Sequence, residues 1–428
     1  MKHFPWIYLL LVMVIAVLID LYVYQGVKAL TKKLRSERWR KAIRRSYLLL
    51  SLGLLVVLSI SFIVMDPSRA PSIWMWRLLG FFFAMLIPQL IVSILLILED
   101  LYRLLSGISK YFYHKIKAPK NPEGVIYFPG RRKFVSQIAL GVAAIPFLGI
   151  LEGMVKGKYD FRVHRSTIYF PDLPEAFDGF TITQVSDIHS GSFDSVHGVM
   201  KGINLVNANK SDLFVFTGDL VNNYSSEIEP WLDAFKTFKA PFGQFSILGN
   251  HDYGKYGRYD KDPDLNEKKR LEDHEKLKQH HQELGYKLML NENTVLEKDG
   301  QKISLIGVEN WGHGFEQSGD LQKALHGVEK DSFKILLSHD PSHWDAQVKQ
   351  DKQHIHLTLS GHTHGMQFGV EIPGFKWSPI QMRYPKWAGL YEEGGKYLYV
   401  NRGFGFIGFP GRVGIWPEVT VITLKRTA

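Results

Sequence analysis

Seven side chains able to hold metal ions fall in five short clusters along the second half of the chain. They are Asp187 and His189, then Asp219, Asn250 and His339, and finally His362 and His364. All offer nitrogen or oxygen. The sequence contains no cysteine, which excludes disulfides, thiolate metal sites and cysteine nucleophiles. Such a donor set suits Mn²⁺, Fe²⁺ or Zn²⁺ rather than the all-oxygen cage of calcium. Seven donors exceed the needs of one four-coordinate ion and suffice for two if a carboxylate is shared. Two ions ~3.5–4 Å apart hold a phosphate oxygen and generate hydroxide near neutral pH.

The surrounding pattern explains how residues so far apart in sequence meet. From Tyr159 onward, short β-rich runs recur at Thr181–Val185, Leu213–Phe216, Gln244–Leu248, Ile303–Val308, Lys334–Leu337, His356–Leu359, Tyr397–Val400 and Val419–Leu424. Polar, helix-compatible stretches such as Ser195–Asn207 and Leu265–Leu284 lie between several of them. This alternation predicts an α/β layered domain with mixed sheets. Each polar cluster follows a strand directly, and the carboxyl ends of strands in α/β sheets are where ligands gather.

The ordered series Asp187-x-His189, Gly218-Asp219, Gly249-Asn250-His251-Asp252, His339 and Gly361-His362-x-His364 resembles the calcineurin-like metallophosphoesterase superfamily. The resemblance runs from about Thr181 to Leu424. Any one block is weak, but five in order are specific. Position by position, it implies that Asp187, His189 and His364 hold a first metal. Asn250, His339 and His362 hold a second, with Asp219 bridging. It further implies that His251 contacts the substrate phosphate and protonates the leaving oxygen, that Asp252 orients the His251 imidazole, and that a metal-bridging hydroxide attacks phosphorus.

Gly361-His362-Thr363-His364-Gly365-x-Gln367 and the later Asn401-Arg402-Gly403 and Pro417-Glu418 are similar to a membrane-associated bacterial branch. That branch includes twin-arginine-exported phosphodiesterases and enzymes cleaving the pyrophosphate of UDP-2,3-diacylglucosamine. Met366 stands where many relatives have glycine, which bears on pocket shape.

Other residues have open roles. Arg402 either clamps a phosphate or serves a structural ion pair. His274, His280 and His281 fall in a Lys- and Glu-rich stretch that reads as a solvated helix, with the alternative that it overhangs the pocket. His313 and His343 read as turn or surface positions or as pocket rim. The aromatic-glycine run Gly403–Pro410 is a packed loop or, if exposed, an apolar edge suited to lipid.

The first third of the chain has a different character. Residues 1–159 carry 22 Lys+Arg against 7 Asp+Glu and the remainder 30 against 35, so the parts are +15 and −5. Four apolar stretches run from about Trp6 to Tyr24, Tyr47 to Met65, Ile73 to Leu98 and Val135 to Leu151. A helix needs ~20 apolar residues to span hydrocarbon. The first three reach that length, with Asp20 and Arg77 near enough to their ends to snorkel. The fourth is short and contains Pro146. Basic residues crowd the first and third connections, predicting that these are cytoplasmic and that everything after Leu151 is extracytoplasmic. Arg131-Arg132-Lys133 before the fourth stretch is an ordinary basic flank or an internal twin-arginine signal.

The expected organisation is an α-helical transmembrane module of about four helices at 1–156 and a calcineurin-like layered α/β sandwich at 157–428. The expected activity is hydrolysis of a phosphoester or pyrophosphate bond, with two divalent ions (Mn, Fe or Zn) as cofactors, in the bacterial inner membrane. The expected partners are the bilayer and a phosphorylated, lipid-linked or envelope-derived substrate. A transporter or scaffold with a vestigial phosphoesterase domain is the rival reading, disfavoured because no donor is missing. A nuclease is the other, disfavoured by the acidic catalytic part.

Overall fold

A computed structural model describes residues 6–64, 73–117 and 131–427. The chain divides into two compact units: a helical one ending at Leu151 and a second covering Glu152 onward.

The helical unit consists of α1 (Trp6–Thr31), α2 (Glu37–Val64), α3 (Ile73–Lys117) and α4 (Arg131–Val155), the last helix continuing into the second unit. All four are long and apolar enough to cross a membrane. Small and aliphatic side chains pack at the centre, with Ala16, Leu55, Leu58 and Phe82 in one cluster and Val23, Val92, Leu96 and Ala139 in another. Many leucines, isoleucines and valines point outward, among them Leu49, Val57 and Ile94. An apolar exterior over helices with internally satisfied backbones is what hydrocarbon solvent demands.

Two expectations change here. Asp20 does not snorkel. It is buried and accepts hydrogen bonds from Ser51 Oγ, Gln89 Nε2 at 2.5 Å and Tyr47 OH at 3.3 Å, so three donors replace water around it. The fourth apolar stretch is longer than expected, because the helix runs through Pro146 to Val155. The connections holding Asp66, Arg69 and Lys120 lie outside the described residues, as do the Arg131 and Arg132 side chains.

The second unit is a two-sheet sandwich. One six-stranded sheet has the order Arg162–Phe170, Glu418–Arg426, Thr181–Val185, Leu213–Phe216, Gln244–Ser246 and Lys287–Leu288. The other runs Gly389–Glu393, Lys396–Val400, Leu357–Ser360, Phe333–Leu337, Gln301–Gly307 and Glu292–Lys298. Both are mixed: parallel centres are flanked by antiparallel pairs such as 181–185 with 418–426 and 292–298 with 301–307. Ile182, Leu213 and Val215 of the first sheet share one core with Leu305, Ile335 and Leu359 of the second. The outer faces are covered as well. Helix α5 (Val196–Asn209) lays Val199, Ile203 and Val206 on one, while Trp344 and Val348 cover the other. Strands buried on both faces read as unbroken apolar runs, as Leu213-Phe214-Val215-Phe216 does. The fold class is therefore the expected layered α/β sandwich after four apolar helices.

Candidate metal centre

All seven donor residues meet at the carboxyl ends of the central strands. The first sheet delivers Asp187, His189, Asp219 and Asn250; the second delivers His339, His362 and His364. Six of them form two groups. Ligand atoms of Asp187, His189 and His364 lie within 4.8 Å of one another, as do those of Asp219, His339 and His362. Asp219 touches both: its Oδ2 is 3.5 Å from His189 Nε2 and 3.1 Å from His339 Nε2.

The loops that carry these side chains are bent into an unusual shape. Ten non-glycine residues among those described have positive φ, and five of them are Asp187, His189, Asp219, His362 and His364. That conformation is costly for residues with a Cβ, and it persists only where neighbours enforce it. Here backbone bonds between adjacent strand ends do so: Asp187 N–H to Gly218 O, His189 N–H to Asp219 O, and Gly361 N–H to His339 O.

The fit to cations shows in the chemistry of the contacts. His189 Nε2 and His364 Nε2 are 3.0 Å apart, and His362 Nδ1 and His339 Nε2 are 3.3 Å apart. Ring nitrogens that face each other this closely must share an electrophile, which is a proton in the metal-free protein and can be a cation in its place. Asn250 is buried with its amide nitrogen donating to Tyr256 OH at 3.0 Å, while its Oδ1 has no hydrogen-bond partner. Its free oxygen is of the kind a cation takes up. The outer ring nitrogens are held by carbonyls: His189 Nδ1 by Val221 O at 3.2 Å and His339 Nδ1 by Thr217 O at 2.7 Å, fixing ring orientation.

Electrostatics agree with the geometry. Burial pushes the Asp187 and Asp219 carboxyls upward, but His364 beside the first and His339 beside the second hold both below the usual range. His339 is raised to about 10, because Asp219 overcomes the burial penalty. Such a proton must leave when a metal binds.

His251 sits beside the centre, its ring centroid 5.0 Å from that of His189 and its Nδ1 2.7 Å from Asn222 O. Asp252 does not orient that imidazole, contrary to expectation. Its carboxylate accepts backbone N–H groups of Asp219, Leu220 and Gly249, each at 2.8 Å, so it braces the loops instead. Arg402 is buried in ion pairs with Glu418 at 2.6 Å and Glu371 at 2.5 Å, which engages the guanidinium that was a candidate phosphate clamp. His274 and His281 pack inward against Asp252 O and Ser246 Oγ, so that helix face is not solvated. His343 is buried against Ser338 Oγ, away from any rim, whereas His313 is exposed. Phe404 and Phe406 are buried, making Gly403–Pro410 a packed loop.

Two contributors were not singled out in the sequence. Tyr384 OH is 2.9 Å from His362 Nε2 and donates to Asp340 Oδ2 at 3.2 Å, so the pair orients that ring from outside. Asp340 directly follows the donor His339, whereas Tyr384 lies outside the motif blocks and approaches only through folding.

Comparison with known proteins follows the same division. Residues 4–158 match a family described as a probable calcineurin-like phosphoesterase transmembrane domain. Residues 180–366, which contain all seven donors, match the calcineurin-like phosphoesterase family. The uncharacterized metallophosphoesterase YkuE of Bacillus subtilis is 33% identical over 260 residues, 60% of this chain and 82% of that protein. A transmembrane protein with metallophosphoesterase domain from Danio rerio is 29% identical, covering 64% of this chain and 60% of that one. The phosphodiesterase YaeI of Escherichia coli is 27% identical over 69% of this chain and 98% of its own.

Proposed function

The chain belongs to the calcineurin-like metallophosphoesterase family, and from that premise we propose that it is a binuclear enzyme cleaving a phosphoester or pyrophosphate bond of a lipid-linked or envelope-derived substrate. The class is that of a membrane-associated phosphoester hydrolase. The observation that carries the two-ion reading is the position of Asp219 Oδ2 between the two donor groups. In this reading Asp187, His189 and His364 hold one ion, Asn250, His339 and His362 the other, and Asp219 both. Bound there, divalent ions supply Lewis acidity toward phosphoryl oxygens and acidify water at neutral pH.

The protein's own groups do the rest. The two sheets hold the donors rigidly, so little reorganisation accompanies reaction. With Nδ1–H donated to Asn222 O, the Nε2 of His251 is the ring atom left to meet a phosphate and deliver a proton to the departing oxygen. The lipid-linked substrate is supported by the four apolar helices in the same chain. The basic first and third connections support an extracytoplasmic catalytic unit.

Detergent-purified full-length protein supplied with Mn²⁺ should hydrolyse a nitrophenyl phosphodiester. Asp219→Ala should lower the rate by at least ~100-fold, the loss that even an outer partner of a metal ligand can produce. Near-native activity in that variant, or a native protein holding one ion per chain, overturns the binuclear reading.

A further inference from the structure

The hairpin formed by Val370–Ile372 and Phe375–Trp377 is amphipathic, with its apolar side turned out. Its register pairs Val370 with Trp377 and Ile372 with Phe375, which places all four side chains on one face. They are exposed: Ile372 by 58%, Phe375 by 55% and Trp377 by 44%. The opposite face carries the pair Glu371 and Lys376, and both are fastened to the domain. Glu371 pairs with buried Arg402, and Lys376 Nζ donates to Ala388 O. The apolar face therefore cannot roll inward without breaking a buried ion pair.

The exposure is concentrated. Six of the fourteen large apolar side chains left exposed among the described residues of the catalytic unit lie between Met366 and Met382. Met382 is 90% exposed, and the turns carrying Met366 and Met382 pack against each other. A patch of this composition marks an interaction surface.

What covers it is indicated by its base. Phe368 bridges to Val413, and Gly369 N–H bonds Val413 O. The adjoining Arg412 N–H bonds Gly153 O, in the last turn of α4, the fourth apolar span. A Cβ on Gly153 would lie 2.5 Å from Arg412 O, so glycine permits this approach. One stretch of backbone thus links the base of the hairpin to Gly153, and both lie in the second unit, which the chain enters at the end of its fourth apolar helix. Trp, Phe and aliphatic side chains on an exposed apolar face are those that bury into the headgroup boundary of a bilayer.

We propose that the face of Val370, Ile372, Phe375 and Trp377 is a membrane-docking surface that sits in the headgroup region of the bilayer. His364 lies two residues before Met366, so docking would set the metal centre beside lipid headgroups. The docking itself rests on the membrane reading and not on the identity of the substrate.

The absence of cysteine makes the test direct. Full-length Ile372→Cys, Phe375→Cys and, as control, exposed Val295→Cys each carry one nitrobenzoxadiazole label. They are placed in nanodiscs of phosphatidylethanolamine and phosphatidylglycerol with or without nitroxide-bearing lipid. Labels at 372 and 375 should be quenched by the lipid nitroxide at least ~3-fold more than the label at 295, as insertion to interfacial depth requires. Adding Ile372→Asp to the Phe375→Cys chain should return that label to aqueous iodide. Equal iodide quenching at 375 and 295 overturns the proposal. So does protection from both quenchers, which would assign the face to another protein. Hydrolysis of the soluble nitrophenyl diester, measured on the same samples, reports separately on the phosphoesterase reading.

Discussion

At the scale of single residues, the centre depends on groups that never touch a metal. Glu227 is the clearest. Its carboxylate accepts N–H bonds from Asn222 at 2.6 Å and from Asn223 and Tyr224 at 3.4 Å, and Asn222 O in turn holds His251 Nδ1. Burial raises its pKa to about 7 from 4.5, the backbone donors offsetting only part of the cost. The folded protein therefore keeps a proton on Glu227 that the unfolded chain releases above about pH 4.5. Stability must fall as pH rises from 4.5 to 7 and level off above, by at most ~3 kcal/mol. Glu227→Gln removes this term, so its melting temperature relative to the native chain should rise between pH 5 and pH 8. A difference that stays flat across that range would mean Glu227 is ionised throughout. Asp340 and Tyr384 also support the centre from outside, and although Asp340 adjoins His339, the pairing of the two is invisible in sequence for a physical reason. Their function is a contact between residues 44 apart, which no local pattern encodes. Asp252 misled for the converse reason: it adjoins His251 in sequence, yet the tight turn aims its carboxylate at the backbone of another loop.

At the scale of elements, the sequence revealed what is buried and missed what is exposed. The strands Thr181–Val185 and Leu213–Phe216 appear at the expected residues, because central parallel strands are continuous apolar runs. The strand Arg162–Phe170 had no such signature; it is an edge strand whose residues are largely polar and outward. The hairpin at 370–377 was also missed, since its apolar residues point away from the core and are interrupted by Pro373 and Gly374. Helix α3 runs to Lys117, well past the apolar limit near Leu98, because a helix outlasts the hydrophobic segment that locates it. Position of the donors, by contrast, was legible from strand ends alone. The joints behind them are tight enough to test. A Cβ on Gly361 would lie 1.9 Å from Ser186 Oγ and 2.2 Å from Asp187 Oδ2. The Ser186 hydroxyl can rotate away, but its Cβ stays 2.8 Å from the added carbon, and the Asp187 carboxylate is fixed by two bonds from His362 N–H at 3.0 Å. Gly361→Ala should therefore displace Asp187 and lower bound metal, read by elemental analysis, while the chain still folds. Adding Ser186→Gly, which removes both the Oγ and the Cβ that crowd position 361, should relieve that part of the strain and still not restore the metal. A full metal complement in Gly361→Ala would show the carboxylate to be dispensable.

At the scale of the whole molecule, the charge is divided as sharply as the structure. The segment to residue 159 is +15 and the rest is −5, so the basic excess serves the helices and not the hydrolase. Nine Lys or Arg lie between Lys28 and Arg45, opposed by Glu37 alone, in and around the turn from α1 to α2. Moving such a cluster outward across a membrane is disfavoured, and loops rich in Lys and Arg stay cytoplasmic. On the proposed topology, four crossings would return the chain to the outer side at the end of α4, where envelope phosphoesters would be accessible. The same clustering allows a discriminating experiment. An alkaline phosphatase fused after Ala428, active only outside the cytoplasm, should be active on the native chain. Replacing Arg35, Arg38, Arg40 and Lys41 by glutamine, with three lysines added before Trp6, should shift fusions toward the inactive state, because orientation follows the balance of positive charge around the first spans. A native fusion that is inactive, paired with an active cytoplasmic reporter at the same position, would put the metal centre on the inner face. The apolar face of the hairpin would then meet the cytoplasmic leaflet in place of the outer one.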